Sequence, residues 1–397
     1  MNKTILDPEF QRYLASIHHE NHQRISLSKS PFPSISAAEI AQQLKGRQIA
    51  QKKFPLLFHT PGIYYPPTIN LEQASSEITA NYKASLVKGE NIIDLTAGFG
   101  MDSLAFSSTF EKVIHVEKNQ SLSEIVASNA HTLEANLACF EGDFQTYFSR
   151  FPQQQFDCIY LDPARRNSIG RKFILKELEP NILDYLSDFW TRTNQLMVKL
   201  SPLLDLSATI IQVEHIKEIH LVAVKNEMKE LLLYLDRNTN HNNPKIVCVN
   251  LQTNQEKFCY WYEEEPNTRV QLSEAQKYLY EPNAAIMKAG AFKLLSQRFP
   301  IYKLHQNTHL YTSEKIIENF PGKVFEIIRK IENPKKEITG QKANVLVRNY
   351  NQSIDNLKKK FKIKDGGDQT IIFCQTVEGF DVFLTKRVEQ KSVSYTH

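Results

Sequence analysis

Short apolar runs, each closed by a turn-forming or acidic residue, recur through the middle of the chain. Asn91-Ile-Ile-Asp-Leu95 reads as a buried strand ending in the glycine turn Thr96-Ala-Gly-Phe-Gly100. Lys112-Val-Ile-His-Val-Glu117 reads as the next strand, and its terminal acid stands twenty-three positions after Asp94. Phe156-Asp-Cys-Ile-Tyr-Leu161 runs directly into Asp162-Pro-Ala-Arg-Arg166. Seven strands are expected in all: Asn91–Leu95, Val113–Glu117, Ala138–Glu141, Cys158–Leu161, Gln195–Leu200, Ile219–Val224 and Ile246–Leu251. Helical stretches separate them, which predicts an α/β fold: a mainly parallel sheet with helices on both faces. Strand, glycine turn, helix and strand with a terminal acid form the front half of a nucleotide-binding sheet.

The flanks lose this alternation. Asp7-Pro8 looks like an N-cap and first-turn proline, predicting a helix through the twenties. Ser36-Ala-Ala-Glu39 matches a capping box, with Ile40 and Leu44 following at helical spacing. Helical period returns over Leu71–Val87. Residues 1–75 are thus expected to form a helical cap, and 76–265 the α/β domain. Composition changes after Glu263-Glu-Glu-Pro266. Helical patches around Ser273–Tyr280 and Ala284–Leu295 predict a small connecting module over 266–322. Strands Val324–Ile328, Ala343–Val347, Gln369–Phe373 and Phe380–Leu384, with the lysine-rich helix Ile354–Phe361, predict an α+β module over 323–397.

The 397 residues carry a net charge of +4, too small to demand a polyanionic partner. Distribution changes that picture: twelve Lys/Arg face five acids between Lys323 and Asp365. Five scattered cysteines without a CxxC pair argue against structural zinc or a disulfide framework. No metal site is expected, and the cysteines fit a reducing cytosol. Without a long apolar span or a signal-peptide core, a cytoplasmic protein with no membrane partner is the expectation.

The order of the central pieces resembles class I S-adenosylmethionine (SAM) methyltransferases more than dehydrogenases. SAM offers four handles, and the chain has a candidate for each. Gly98 and Gly100 permit close backbone approach to the methionine end, and Asp94 can accept from its ammonium. Glu117 stands where an acid bridges the ribose hydroxyls, and Asp143 where one receives the adenine amine. Thr96, Ala97 and Asp102 of the same stretch, with Gln73 and Ser76 from the preceding helix, complete the candidate cofactor set. Taken singly, a Gly-x-Gly turn, a strand-end acid and a helix N-terminus have bland structural uses; their joint order carries the reading. A dinucleotide dehydrogenase would want a third glycine where Ser103 stands.

Asp162 and Pro163 end the fourth strand as candidate catalytic residues. Enzymes that methylate exocyclic base amines commonly hold an Asp/Asn-Pro-Pro-aromatic tetrad there, whose acceptors receive the amine hydrogens while the ring stacks. Ala164 and Arg165 replace the second proline and the aromatic, so the acceptor half is present and the stacking half is not. Arg165 and Arg166 are candidates to stack on a base or clamp a phosphate, against the plain reading of a solvated loop. Lys199 is a weaker pocket candidate. A variant of the tetrad with arginine in fourth place also resembles 5-methyluridine enzymes. Their nucleophilic cysteine has no counterpart after Val198-Lys-Leu-Ser-Pro202. Lys225–Leu233 reads as a wall of the substrate side or as a charged helix packing three leucines. In the C-terminal module Lys358, Lys359, Lys360 and Lys362 are candidates to grip RNA phosphates, or a solvated charged face.

Several motifs in one order carry a more specific resemblance. Asn70-Leu-Glu-Gln73, Asp94-Leu-Thr-Ala-Gly-Phe-Gly-Met-Asp-Ser103, Leu161-Asp-Pro-Ala-Arg-Arg166 and Lys229-Glu-Leu-Leu-Leu233 are similar to bacterial class I SAM methyltransferases with a C-terminal THUMP-like domain. Tyr278-Leu-Tyr-Glu-Pro-Asn-Ala-Ala-Ile-Met-Lys-Ala-Gly290 resembles the start of that family's ferredoxin-like insert. Ala343-Asn-Val-Leu-Val-Arg-Asn349 and Lys362-Ile-Lys-Asp-Gly-Gly-Asp368 resemble the THUMP-like domain itself. The resemblance implies a seven-stranded Rossmann-like sheet, SAM as cofactor and RNA as partner. It leaves open a SAM- or RNA-binding protein without turnover, and a protein or small-molecule acceptor.

Overall fold

The computed structural model describes residues 1–165 and 175–389. They divide into two compact units, one of Met1–Ile216 with Leu233–Asn240, the other of Lys217–Leu232 with the residues from His241 onward.

The first unit opens with helices. Pro8 starts a helix that ends at Ser16, and a separate turn covers His22–Ser26, so the continuous helix expected through the twenties is two pieces. Asp7 makes no side-chain capping bond. The capping box is formed: Ser36 Oγ accepts from the Glu39 amide at 3.2 Å and the Glu39 carboxylate accepts from the Ser36 amide at 2.8 Å. It opens the long helix Ala37–Lys53. Thr68–Gln73 and Glu77–Ala84 form two helices where one was expected, because Ser76 caps the second and breaks the first. Phe10, Leu44 and Phe54 pack into one core with Phe99, Met101 and Val126. The N-terminal helices therefore support the residues that follow the first strand.

The strands are β1 Gly89–Asp94, β2 Phe110–Glu117, β3 Leu137–Glu141, β4 Cys158–Leu161, β5 Ala164–Arg165, β6 Leu178–Glu179 and β7 Gln195–Leu200. Then come β8 Ile216–Val224, β9 Glu227–Asp236, β10 Lys245–Leu251 and β11 Phe258–Trp261. The large sheet runs β11-β10-β8-β9-β7-β4-β1-β2-β3. β1 pairs in parallel with both β2 and β4, so the chain winds outward to β3 and returns across β1. That reversal is the topological switch point, where crevices open at the carboxyl ends of strands.

Nine strands replace the seven expected. The addition inside the sheet is β9, which enters through a two-residue turn: Lys225 and Asn226 have φ of 49° and 67°. Such a turn joins antiparallel strands and needs positive φ, which Asn tolerates. Glu227–Asp236 is thus a strand and not a charged helix, and Leu231 to Leu233 are buried in sheet.

The second unit contains a seven-stranded sheet in the order β13-β14-β12-β15-β18-β17-β16. Its strands are β12 Tyr278–Pro282, β13 Tyr302–His305, β14 Thr308–Ser313, β15 Gly322–Lys330, β16 Asn344–Arg348, β17 Gln369–Thr376 and β18 Gly379–Val388. Because β12 pairs with both β14 and β15, the expected connecting and basic modules share one sheet. The helix expected around Ser273–Tyr280 is absent: Tyr278–Pro282 is an interior strand, whose buried Leu279 and Tyr280 need neighbours on both sides. The lysine-rich helix forms at Ile354–Phe361.

Candidate active site

A cavity of about 860 Å³ opens at the switch point, within the size range of small-molecule sites. Its walls include the residues after β1, the ends of β2 and β4, the turn after β3, and Lys199 on β7.

The turn after β1 is stitched to its neighbours. Ala97 N–H donates to Val116 O at 3.1 Å, and Gly100 N–H to Ala97 O at 2.8 Å. Thr96 N–H donates to Asp94 Oδ1 at 3.2 Å, while Thr96 Oγ1 accepts from the Asp162 amide at 2.6 Å. Gly98 and Gly100 have φ of 55° and 77°, in the left-handed region that disfavours side chains. A Cβ on Gly98 would meet nothing nearer than 4.0 Å, so its backbone edge is open to a ligand. A Cβ on Gly100 would instead lie 2.8 Å from Val126. Beneath the turn, buried His115 shares a 3.2 Å hydrogen bond with Gly98 O, and burial pushes its imidazole down to about 4.

The acids fall into different states. Asp94 is buried and accepts from Ser103 Oγ at 2.7 Å. Burial pushes its carboxyl up to about 8, the Ser103 bond opposing and the Asp102 charge adding. Glu117 accepts from Gly98 N–H at 3.0 Å and Asn119 N–H at 2.7 Å, one bond to each oxygen. Each carboxylate oxygen has two acceptor sites, so capacity for vicinal hydroxyls remains. Asp143 caps the helix Phe144–Arg150, accepting from the Thr146 amide at 2.8 Å, and this bond holds its carboxyl below the ordinary range.

Asp102 lines the cavity floor but is held from behind. Its carboxylate accepts from Ser75 Oγ at 2.8 Å and Tyr160 OH at 2.7 Å, and lies 3.2 Å from the fully buried ammonium of Lys83. Burial alone would raise it; Lys83 and then Lys199 bring it below the ordinary range. Asp162 is ion-paired to Lys199. About a third of its side-chain surface stays open, yet its depth raises the carboxyl while Lys199 opposes the rise.

Of the residues singled out in the sequence, the cavity gathers Gln73, Asp94, Thr96, Ala97, Gly98, Gly100, Asp102, Glu117, Asp143, Asp162 and Lys199. Ser76 is elsewhere, capping Glu77–Ala84; its neighbour Ser75 reaches the wall. Pro163 is buried behind the wall. Arg165 pairs through its backbone with Leu178, and Arg166 lies outside the described residues. Lys358, Lys359, Lys360 and Lys362 belong to the second unit, where Lys358 pairs with Asp365 at 2.6 Å and the other three are exposed. Phe361 and Phe373 are buried in that unit's core.

Sequence reasoning missed Lys83, Tyr160 and His115, which read as ordinary helix and strand residues. It also missed Tyr185, which lines the cavity and sets its ring edge-on to Phe144 at 5.0 Å. No local pattern marks these residues, since each acquires its role from a neighbour distant in sequence. No group of three or more metal-ligating side chains occurs among the described residues.

Sheet order, glycine turn and strand-end acids together are those of a class I methyltransferase fold. Residues 66–183 match the family model of conserved hypothetical protein 95, residues 278–321 a ferredoxin-like domain, and residues 322–387 a THUMP domain-like model. A crystal structure of a presumed methyltransferase from Porphyromonas gingivalis W83 superposes with a TM-score of 0.88 at 29% identity, covering 98% of this chain and 100% of that one. Ribosomal RNA small subunit methyltransferase J of Psychrobacter cryohalolentis is 34% identical over 96 residues, which are 20% of this chain and 32% of that protein. The chain therefore spans about a third of the length of that curated relative. An rRNA methylase of Streptococcus thermophilus aligns over 40% of this chain and 93% of its own at 12% identity, with a TM-score of only 0.29. The chain has a class I methyltransferase fold, with ferredoxin-like and THUMP-like domains at its C-terminal end.

Proposed function

We propose that this protein is a SAM-dependent methyltransferase acting on a base in structured RNA, either ribosomal or transfer RNA. The observation that carries the reading is that Asp94, Gly98, Gly100, Glu117 and Asp143 meet Asp162 in one cavity. When bound, SAM would supply an activated methyl group for transfer. Asp94 and the open backbone at Gly98 hold the methionine end, with Thr96, Ala97, Gly100 and Gln73 shaping the same wall. Glu117 receives the ribose hydroxyls and Asp143 the adenine amine. Asp162 accepts a hydrogen bond from the acceptor amine at a carboxylate oxygen and receives its proton; alignment does the rest.

In this reading residues 76–265 are the methyl-transfer domain, 1–75 its helical cap, 266–322 the ferredoxin-like connector and 323–397 the basic THUMP-like domain. Exposed Lys359, Lys360 and Lys362 grip RNA backbone. A groove of about 960 Å³ in the second unit, lined by Lys323, Asn344, Lys386 and Arg387 among others, offers further sites for phosphate. The relative that acts on ribosomal RNA supports the acceptor class.

The test is transfer of labelled methyl from SAM to total RNA from a strain lacking the gene. Label on one RNA size class is expected, and Asp162→Ala should abolish it while RNA binding persists. Absence of label on any RNA, with SAM bound, would overturn the RNA acceptor. Ala164 and Arg165 in place of proline and an aromatic favour a second reading, SAM or RNA binding without turnover. No change in any methyl mark between wild type and Asp162→Ala would support it.

A further inference from the structure

Register places Lys199 beside Asp162. β4 and β7 pair in parallel as Ile159 with Leu196, Tyr160 with Met197 and Leu161 with Val198. One step beyond the last pair, Asp162 and Lys199 stand side by side where both strands open into the cavity, and their side chains form an ion pair.

The groups around this pair come from four further positions. Asp94 ends β1, and Tyr160 precedes Asp162 by two residues on β4. Asp102 lies in the first turn of the helix Met101–Phe106, and Lys83 in the last turn of the helix Glu77–Ala84. Two hydrogen bonds and an ion pair fix the Asp102 carboxylate: Ser75 Oγ donates at 2.8 Å, Tyr160 OH donates at 2.7 Å, and the Lys83 ammonium lies 3.2 Å away. Asp102 is thereby a fixed anion whose field reaches Lys199. Charges in this region alternate: Lys83 positive, Asp102 negative, Lys199 positive, Asp162 negative. Burying such a set is costly, because removing any member leaves an uncompensated charge away from water.

Resting on the methyltransferase reading above, we infer that Lys199 is a positioning residue of the methyl-transfer site. It holds Asp162 ionised and turned so that a carboxylate oxygen can take the proton of the acceptor amine. Without Lys199, Asp162 would sit in a partly desolvated wall beside the Asp102 anion, and both burial and that charge favour its neutral form, with Lys83 opposing. A neutral carboxyl has lost the capacity to receive the proton. Lys199 needs no contact with the acceptor to act in this way. Asp102, itself held by Lys83, acts one step further back through its attraction for the Lys199 ammonium.

The experiment compares the pH dependence of methyl transfer in wild type, Lys199→Met and Lys199→Arg, with SAM affinity by calorimetry as the folding control. Lys199→Met should move the acid limb of kcat up by about one pH unit or more, as loss of an adjacent opposite charge does. Activity at pH values on the acid limb should fall, by up to about tenfold for each unit of that move, and recover as pH rises past the displaced limb. Lys199→Arg, which keeps the charge, should keep the limb in place. Loss of kcat by the same factor at every pH in Lys199→Met, with SAM still bound, would overturn the inference.

A wild type that methylates no acceptor would sink the enzyme reading instead. The inference then remains testable by following the Asp162 carboxylate carbon through a pH titration in aspartate-labelled protein, assigned with Asp162→Asn. An upward move of that titration in Lys199→Met supports the role of Lys199, and an unmoved titration overturns it.

Discussion

At the scale of single residues, the first strand's terminal acid has a measurable consequence for stability. Asp94 titrates near 8 in the folded protein because it is buried, against about 3.9 in an unfolded chain. Between those values the folded state holds one more proton, so stability falls as pH rises through that window. Asp94→Asn keeps an acceptor for Ser103 and removes the titration. Urea unfolding between pH 5 and 8 should therefore lose that falling component in the variant; an unchanged slope would place the titration on another group. His115, and His309 in the second unit, run the other way: burial lowers both to about 4. Their contribution is present above pH 6.5 or so and is lost as pH falls toward 4, so the stability of the Asp94→Asn variant should rise with pH over that range. Gly100→Ala should cost about 1–3 kcal/mol, since the residue has φ of 77° and its Cβ would meet Val126 at 2.8 Å. A thermal melt that shows no loss would mean the turn relaxes freely.

At the scale of elements, the turn between β8 and β9 decides how the central sheet is filled. Asn226 adopts positive φ, its amide donates to Asn250 Oδ1 at 2.7 Å, and its own Oδ1 accepts from the Ala284 amide at 2.8 Å. Asn226→Gly keeps the turn and loses the acceptor, at about 1 kcal/mol; Asn226→Ala loses both and should cost more. Equal losses in the two variants, measured by chemical denaturation, would show that turn conformation is irrelevant here. In the second unit Gly322 lies where β12 and β15 pair. An added Cβ would stand 2.0 Å from Glu281 O and 2.6 Å from the Phe320 ring. Gly322→Ala must part the strands, and hydrogen exchange of the β12 and β15 amides should quicken by an order of magnitude or more.

Among described residues no helix is long and apolar enough to cross a membrane, and at the scale of the whole molecule it is charge that is unevenly placed. Asp94, Asp102, Glu117, Asp143 and Asp162 gather at the cavity of the first unit, while the surplus of lysine and arginine lies in the second. Acids suit a cation-bearing cofactor and repel phosphate, so in the proposed function the grip on RNA backbone falls to the basic unit. Changing Lys359, Lys360 and Lys362 together to glutamate should weaken RNA binding and flatten its dependence on salt, by about 0.7–0.9 in log–log slope for each phosphate that is no longer neutralised. SAM affinity should not change. RNA affinity and slope both unaltered in that variant would remove the helix Ile354–Phe361 from the RNA-binding surface.

The chain's local pattern determined which segments are strands wherever apolar runs were short and bounded, and it placed Asp94, Glu117, Asp143 and Asp162 each at the end of such a run or just after it. It also set the capping box at Ser36 and the lysine helix at Ile354–Phe361, because hydrogen bonds and periodicity within a few residues suffice for those. Tertiary structure decided what such short-range signals do not contain. Leu231 to Leu233 became sheet because two positive-φ residues before them close a hairpin against β8. Tyr278–Pro282 became an interior strand because partners thirty and more residues away, β14 and β15, flank it. Lys83, Tyr160 and Lys199 acquired their roles only when strand register and helix packing brought them to Asp102 and Asp162. A buried charge takes its meaning from its partner, and the partner is chosen by the fold.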